Sequence, residues 1–315
     1  MAGLDFEKPI AELEKKIHEL KHFVADKKID LSSEVKKLED KLEHLKKDTY
    51  VNLTPWQRVQ LARHPQRPYT LDYINLLMTD FLEMHGDRLF SDDKAIVCGF
   101  AKLDKQKIVV IGHQKGRDTK ENLKRNFGCA HPEGYRKALR MMQLAEEFNL
   151  PVVIFIDTPG AYPGIGAEER GQSQAIATNL RDMASIATPI ISTVIGEGGS
   201  GGALGVGVAD RVYILENSYY SVISPEGCAA ILWKDGAKAP EAAAVLKLTG
   251  EDLLKLKVID GVIPEPFGGA HRDHEKTAQN LKEVLVRDIK ELKGLKKDTL
   301  LASRYQKFRN MGVIA

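Results

Sequence analysis

The chain has 315 residues, 43% hydrophobic and 29% charged, with 46 lysines and arginines against 44 aspartates and glutamates and a formal net charge of +2. This is the composition of a globular protein with a substantial core, one large domain or two modest ones, and its balanced charge gives no case for nucleic acid or a membrane surface. Three widely separated cysteines, Cys98, Cys129 and Cys228, lack metal-ligand spacing and a disulfide framework, and no run approaches a membrane span or a signal core, so a cytoplasmic location is expected.

In chain order, Ile10, Leu13, Ile17, Leu20 and Val24 mark one stripe of a helix over 9–25, and Val35, Leu38, Leu42 and Leu45 a second over 33–47. Ser32 or Ser33 is the expected N-cap of the second. Joined by 25–31, they form a helical hairpin that either packs on its own domain or grips a partner. Pro55, Pro65 and Pro68 limit 51–90 to short helices and turns, with Trp56 and Tyr69 as packing residues. Strands at 95–101 and 107–112, separated by 103–106, predict a β-hairpin.

The run HQKGRDTKENLKRNFG at 113–128 follows a strand end and carries Lys115 and Arg117, either a solvated face or an anion contact. A helix over 133–148, with Tyr135, Ala138, Met141, Met142, Ala145 and Phe148 on its apolar side, precedes an unalternating strand at 151–156. A Pro/Gly turn at 157–164, a helix over 168–187 and a strand at 190–195 follow. Strands at 210–215 and 219–223, the segment SPEG with Glu226, a helix over 251–258 capped by Thr249 and stopped by Gly261, and a helix over 276–293 complete the pattern, with Tyr305 and Phe308 in the tail. Alternation of strands and helices with unalternating strands implies an α/β core with parallel pairing, whose ligands sit beyond the strands' C-terminal ends.

The turns DTPGAYPG (157–164) and GEGGSGG (196–202) both fall at such ends, on consecutive crossovers, and are expected side by side. Glycines at 196, 198, 199, 201 and 202 bare the backbone, so N–H groups at the start of the following helix can face a phosphate, a carboxylate or an oxyanion. Gly196 and Gly201 have P-loop spacing, but Gly202-Ala203 stands where Lys-Ser/Thr is required, and Gly205-x-Gly207 lies too late for a dinucleotide fingerprint. Gly198 to Gly202 match the nucleophile elbow G-x-S-x-G. A serine hydrolase using Ser200, with Asp210, Asp235 or Asp260 and then His271 or His274, is therefore the alternative reading. The other reading needs no side-chain nucleophile: two backbone N–H groups stabilise charge developing on an enolate oxygen.

The ordered series DKAIV, GHQKGR, RNFG, PEGYRKALR, IDTPGAYPG, EERGQS, VIGEGGSGGAL, YSVISPEGCA, ILWK and IPEPFGGAHR resembles the carboxyltransferase alpha subunits of bacterial and plastid-type acetyl-coenzyme A carboxylase, over nearly the whole chain. The resemblance implies an α/β crotonase-like (ClpP/crotonase) superhelix of ββα units. Its core is placed at 91–265, after a helical arm and lead-in at 1–90 and before a helical extension at 266–315. It implies that Gly201 and Gly202 form an oxyanion hole for the enolate of biotin, that Gly160, Ala161, Gly198 and Gly199 line the same pocket, and that Glu226, Lys115 and Arg117 lie near substrate. Glu226 is expected to hydrogen-bond rather than act as a base. It also implies an α2β2 heterotetramer with a beta subunit that carries zinc and most acetyl-CoA contacts, so this chain holds no metal. Carboxybiotin arrives on the biotin carboxyl carrier protein, malonyl-CoA is the product, and ATP is used by biotin carboxylase on another chain.

Overall fold

The computed structural model describes residues 4–27 and 31–312. The two amphipathic stripes form α1 (Lys8–Lys27) and α2 (Ser32–Val51). They run antiparallel, with Lys46 on Glu14 and Lys21 on Glu39. Residues 28–30 of the expected connection lie outside the described residues. Neither serine caps α2: Leu31 occupies the N-cap position without a side-chain bond, and Ser33 Oγ donates to Glu34. Such narrow stripes make little core. Ile10 and Ile17 are buried on α1, and α2 buries no residue.

The prolines act as expected. Pro55 opens α3 (Pro55–Ala62), capped by Thr54 with Gln57 returning the bond, and α4 (Thr70–Leu77) follows. The expectation of helices and turns throughout 51–90 misses β1 (Met78–Glu83). Only Met78 of this edge strand is buried, so no period-two alternation marks it. The predicted hairpin is β2 (Ile96–Leu103) and β3 (Gln106–His113), turning through Asp104 at φ 52°.

The remaining elements are α5 (Thr119–Lys124), α6 (Pro132–Glu147), β4 (Val152–Thr158), α7 (Ile165–Glu169), α8 (Gln172–Met183), β5 (Ile190–Gly199), α9 (Ser200–Leu204), β6 (Arg211–Leu215), β7 (Tyr219–Ser221), α10 (Pro225–Trp233), α11 (Ala239–Val245), α12 (Gly250–Lys255), β8 (Gly261–Ile263), α13 (His274–Lys293) and α14 (Lys297–Arg309). One sheet runs in the order β1-β2-β3-β4-β5-β6-β8, with β7 added to the end of β5. The β1/β2 and β2/β3 pairs are antiparallel and every later pair is parallel.

Both faces are covered. Val152, Ile154 and Ile156 of β4 pack with Tyr135, Met141 and Met142 of α6 and Met183 of α8. Val153 and Phe155 point the other way, among Tyr73 and Ile74 of α4 and Leu281, Leu285 and Ile289 of α13. Burial on two faces is why these strands read as continuous apolar runs.

Several expected boundaries shift. The helix over 168–187 is two helices, broken where Gly171 takes φ 82°. Phe148 falls at the C-cap of α6 and is exposed. Thr249 caps α12 as expected, but Gly261 starts β8 instead of ending that helix, and Lys257 makes the left-handed turn. The tail is ordered as α14. Its anchor is not Tyr305, which is exposed, but buried Arg304, which donates to both Asp210 oxygens and to the carbonyls of Met183, Ile186 and Thr188.

Candidate active site

The strand carrying the glycines does not end at Ile195. β5 continues, fully buried, to Gly199, because β7 pairs with Glu197, Gly198 and Gly199. Bare backbone makes this possible. A Cβ on Gly199 would stand 2.1 Å from the Pro159 carbonyl oxygen, and one on Gly202 would stand 2.5 Å from the Gly160 carbonyl carbon and 2.6 Å from the Ala161 nitrogen. The two turns therefore touch backbone to backbone, as their positions on consecutive crossovers predict.

Among the described residues, the N–H groups of Gly201, Gly202 and Ala161 have no backbone acceptor, as the first turn of a helix requires for the glycines. By contrast, the Gly160 N–H is taken by Thr158 Oγ1, whose hydroxyl donates back to the Gly160 carbonyl. A Cβ on Gly160 would meet nothing within 4 Å, and the nearest atom to one on Gly201, chain neighbours aside, would be Ile176 Cδ1 at 3.6 Å. Uncommitted donors beside open space suit an oxygen carrying negative charge.

Beneath the junction lies a charge cluster. Lys115 Nζ donates to Asp157 Oδ1 (2.7 Å) and Glu197 Oε1 (2.8 Å), and all three side chains are nearly inaccessible. Glu197 Oε2 accepts from Arg63 Nε (2.8 Å) and the Tyr219 hydroxyl (2.7 Å). Arg63 also pairs with Glu226, at the start of α10. Burial pushes the Glu197 carboxyl up, but Lys115 and Arg63 outweigh it and hold it down at about 2. Burial opposes charge on Lys115 as well, yet Asp157 and Glu197 raise its pKa above the ordinary lysine value. Arg63, Asp157, Glu197 and Tyr219 are absent from the sequence-based site. Two had a signal, since Asp157 and Glu197 are the lone carboxylates opening the two turns. Arg63, between two proline-broken helices, had none.

In the basic run at 113–128, read either as a solvated face or as an anion contact, Lys115 and Arg117 are engaged internally, while Lys120 and Lys124 are exposed. Lys115 is occupied as described. Arg117 donates to the Pro65 and Arg67 carbonyls and to Asp72, with its guanidinium 3.9 Å from the Tyr69 ring centroid. Gly198 lies in β5, with a Cβ there meeting Tyr220 at 2.9 Å, so it braces the strand below the open space.

No triad forms around Ser200. It is exposed, at φ 48°, and among the described residues its hydroxyl has no hydrogen-bond partner. Each proposed acid is engaged elsewhere: Asp210 with Arg304, Asp235 on the Ala237 N–H, and Asp260 with Lys307 and the Val212 N–H. His271 is buried against His64 and Glu7, and His274 Nε2 faces the Gln66 carbonyl at 2.7 Å.

Residues 3–312 match the model of the family described as acetyl co-enzyme A carboxylase carboxyltransferase-like. The chain belongs to this family. Full-length relatives agree. The chain is 60% identical over 312 residues to the acetyl-coenzyme A carboxylase carboxyl transferase subunit alpha of Geobacter metallireducens, covering 99% of this chain and 98% of the relative. It is 57% identical to that of Thermus thermophilus, covering 99% of each. Among solved structures it is similar to a Pseudomonas malonate decarboxylase hetero-tetramer (TM-score 0.59, 16% identity, 74% of this chain and 91% of that one). It is also similar to transcarboxylase 12S (TM-score 0.55, 21% identity, 69% of this chain and 41% of that one). These neighbours share the crotonase-like fold, and family membership makes the chain a carboxyltransferase subunit that works with partner subunits. Among the described residues, no helix is long and apolar enough to cross a membrane.

Proposed function

We propose that this chain is the biotin-facing half of the cytoplasmic carboxyltransferase that converts acetyl-CoA to malonyl-CoA, with Gly201 and Gly202 as its oxyanion donors. The observation that carries this reading is the junction of two bare turns whose Gly201, Gly202 and Ala161 N–H groups have no backbone acceptor. Their fit to biotin is chemical: a ureido oxygen accepts hydrogen bonds and asks for no metal or side-chain base. When bound, biotin supplies the carboxyl group and the oxygen on which charge develops. The residues of this chain hold that oxygen, and their donors are fixed beforehand because the backbones beneath them are in contact. Gly160 leaves room for the ring, and Gly199 keeps the two turns together. Glu226, paired with Arg63, orders the rim and does not act as a base. Lys115 serves the frame, and Arg117 stays a contact for an incoming anion only at its partly exposed edge.

The remainder of the reaction belongs to partners: a beta subunit that brings acetyl-CoA and a zinc site, in an α2β2 assembly, a biotin carboxyl carrier protein, and biotin carboxylase as the consumer of ATP. The test is Gly201→Pro in the reconstituted complex. Proline removes one N–H at a position where a Cβ, chain neighbours aside, finds Ile176 Cδ1 at 3.6 Å. Because Ser200 before it is left-handed, at φ 48°, which proline disfavours in its predecessor, circular dichroism and beta-subunit binding of the variant are measured beside turnover. Turnover should fall by about 10²–10³ with folding and assembly intact. Unchanged turnover would refute the assignment. Ser200→Ala separates the hydrolase alternative, since it should leave carboxyl transfer within about threefold of wild type, whereas a nucleophile's loss would abolish activity.

A further inference from the structure

We propose that Lys115 is a positioning residue for carboxyl transfer: it fixes the spacing between the two turns whose N–H groups form the oxyanion site. The inference rests on the oxyanion reading above. Lys115 follows the end of β3, Asp157 lies near the end of β4 and Glu197 near the end of β5, on three adjacent strands that run parallel. One ammonium thus joins the C-terminal ends of all three. The join extends to the backbone, because Asp157 Oδ1 also accepts the Glu197 N–H at 2.9 Å.

From this clamp, bare backbone leads directly to the site. A Cβ on Gly196 would stand 2.5 Å from Asp157 Oδ1, one on Gly199 2.1 Å from the Pro159 oxygen, and one on Gly202 2.5–2.6 Å from Gly160 and Ala161. Gly196, Gly199 and Gly202 therefore meet the Asp157 carboxylate, the Pro159 backbone and the Gly160–Ala161 backbone in turn, and at the last two the contact is backbone to backbone. A displacement at the clamp passes to Gly202 and Ala161 with nothing between to absorb it. Lys115 itself cannot reach a ligand without abandoning two buried carboxylates.

Removing the ammonium alone would strand Asp157 and Glu197 as buried like charges, so Lys115→Met is expected to fold poorly. The informative variant is the charge-balanced pair Lys115→Met with Glu197→Gln, studied in the reconstituted complex with malonyl-CoA and a free biotin analogue. The expected result is a kcat lower by about 10-fold or more, with KM values for both substrates within about twofold of wild type and unchanged beta-subunit affinity, since only transition-state contacts to the substrates are lost. The thermal midpoint falls, because Asp157 is left buried without its cation. Amide hydrogen exchange over 158–162 and 196–204 should accelerate in the pair. Should the pair fail to fold, Glu197→Gln alone, which keeps one acceptor oxygen but turns an N–H2 toward the donors on the other side, must show the same loss of kcat at unchanged KM. Wild-type kcat in a folded variant, or loss confined to KM, overturns the proposal. Gly201→Pro run in parallel tells the two claims apart. If it is inactive while the pair is fully active, only the positioning role fails. If it is fully active, the oxyanion reading fails first.

Discussion

At the residue scale, the site is made of backbone, and neighbouring glycines should respond differently to the same change. A Cβ on Gly201 has ordinary contact distance available, whereas one on Gly202 collides with the Gly160 and Ala161 backbone. Gly201→Ala should therefore fold with near-native stability, while Gly202→Ala should lower the unfolding midpoint and displace the 159–161 turn, as comparison of their melting curves would show. Glu197 gives a pH test. Its folded pKa, about 2, lies below the unfolded value near 4.5, so the stability it contributes is fully present above pH ~5 and is lost as the pH falls toward 2. The stability gap between wild type and Glu197→Gln should narrow over that window, and a gap independent of pH would contradict the charged assignment. The junction of the two turns was legible in the sequence, because glycines at strand ends announce bare N–H groups and the crossover order places the two turns together. What was not legible is the fate of the charges. Lys115 in a basic run has the same sequence appearance whether it faces an anion or two carboxylates from strands 42 and 82 residues away.

At the scale of elements, the same contrast recurs. Periodicity found α1, α2, α6 and α13, and two-sided burial revealed β4 and β5. It missed β1, a mostly exposed edge strand, and the break at Gly171, where a left-handed residue interrupts an otherwise helical pattern. The C-terminal tail, where the sequence marked only Tyr305 and Phe308, is a helix held by Arg304, whose buried partner Asp210 lies 94 residues away. Arg304→Met should cost about 3–5 kcal/mol, measured by urea unfolding, because Asp210 is left buried without its partner. The base of the N-terminal arm is held by a different cluster. Tyr50 donates to Glu7, which also faces His271 and Arg272, while His271 packs on His64 with ring centroids 4.0 Å apart. Burial first, then His271, Arg272 and Arg67, outweigh Glu7 and depress the His64 pKa to about 4. A depressed histidine contributes stability above its unfolded value near 6.5, and that contribution is lost as the pH falls toward 4. Hydrogen exchange in the first turns of α1 should quicken over this range in wild type and much less in His64→Phe.

At the scale of the whole molecule, one sheet covered on both faces supports a candidate site where, among the described residues, the Gly201, Gly202 and Ala161 N–H groups have no backbone acceptor. Such a site can stabilise charge, but it needs partners to supply the reacting groups. The most direct measurement is therefore carboxyl transfer from malonyl-CoA to a free biotin analogue by three samples: this chain alone, the chain with a carboxyltransferase beta subunit, and the Gly201→Pro chain with that subunit. Activity is expected only in the second sample, with the third lower by about 10²–10³ at equal assembly. Turnover by the chain alone, or full activity without the Gly201 N–H, would contradict a shared active site built on this backbone turn.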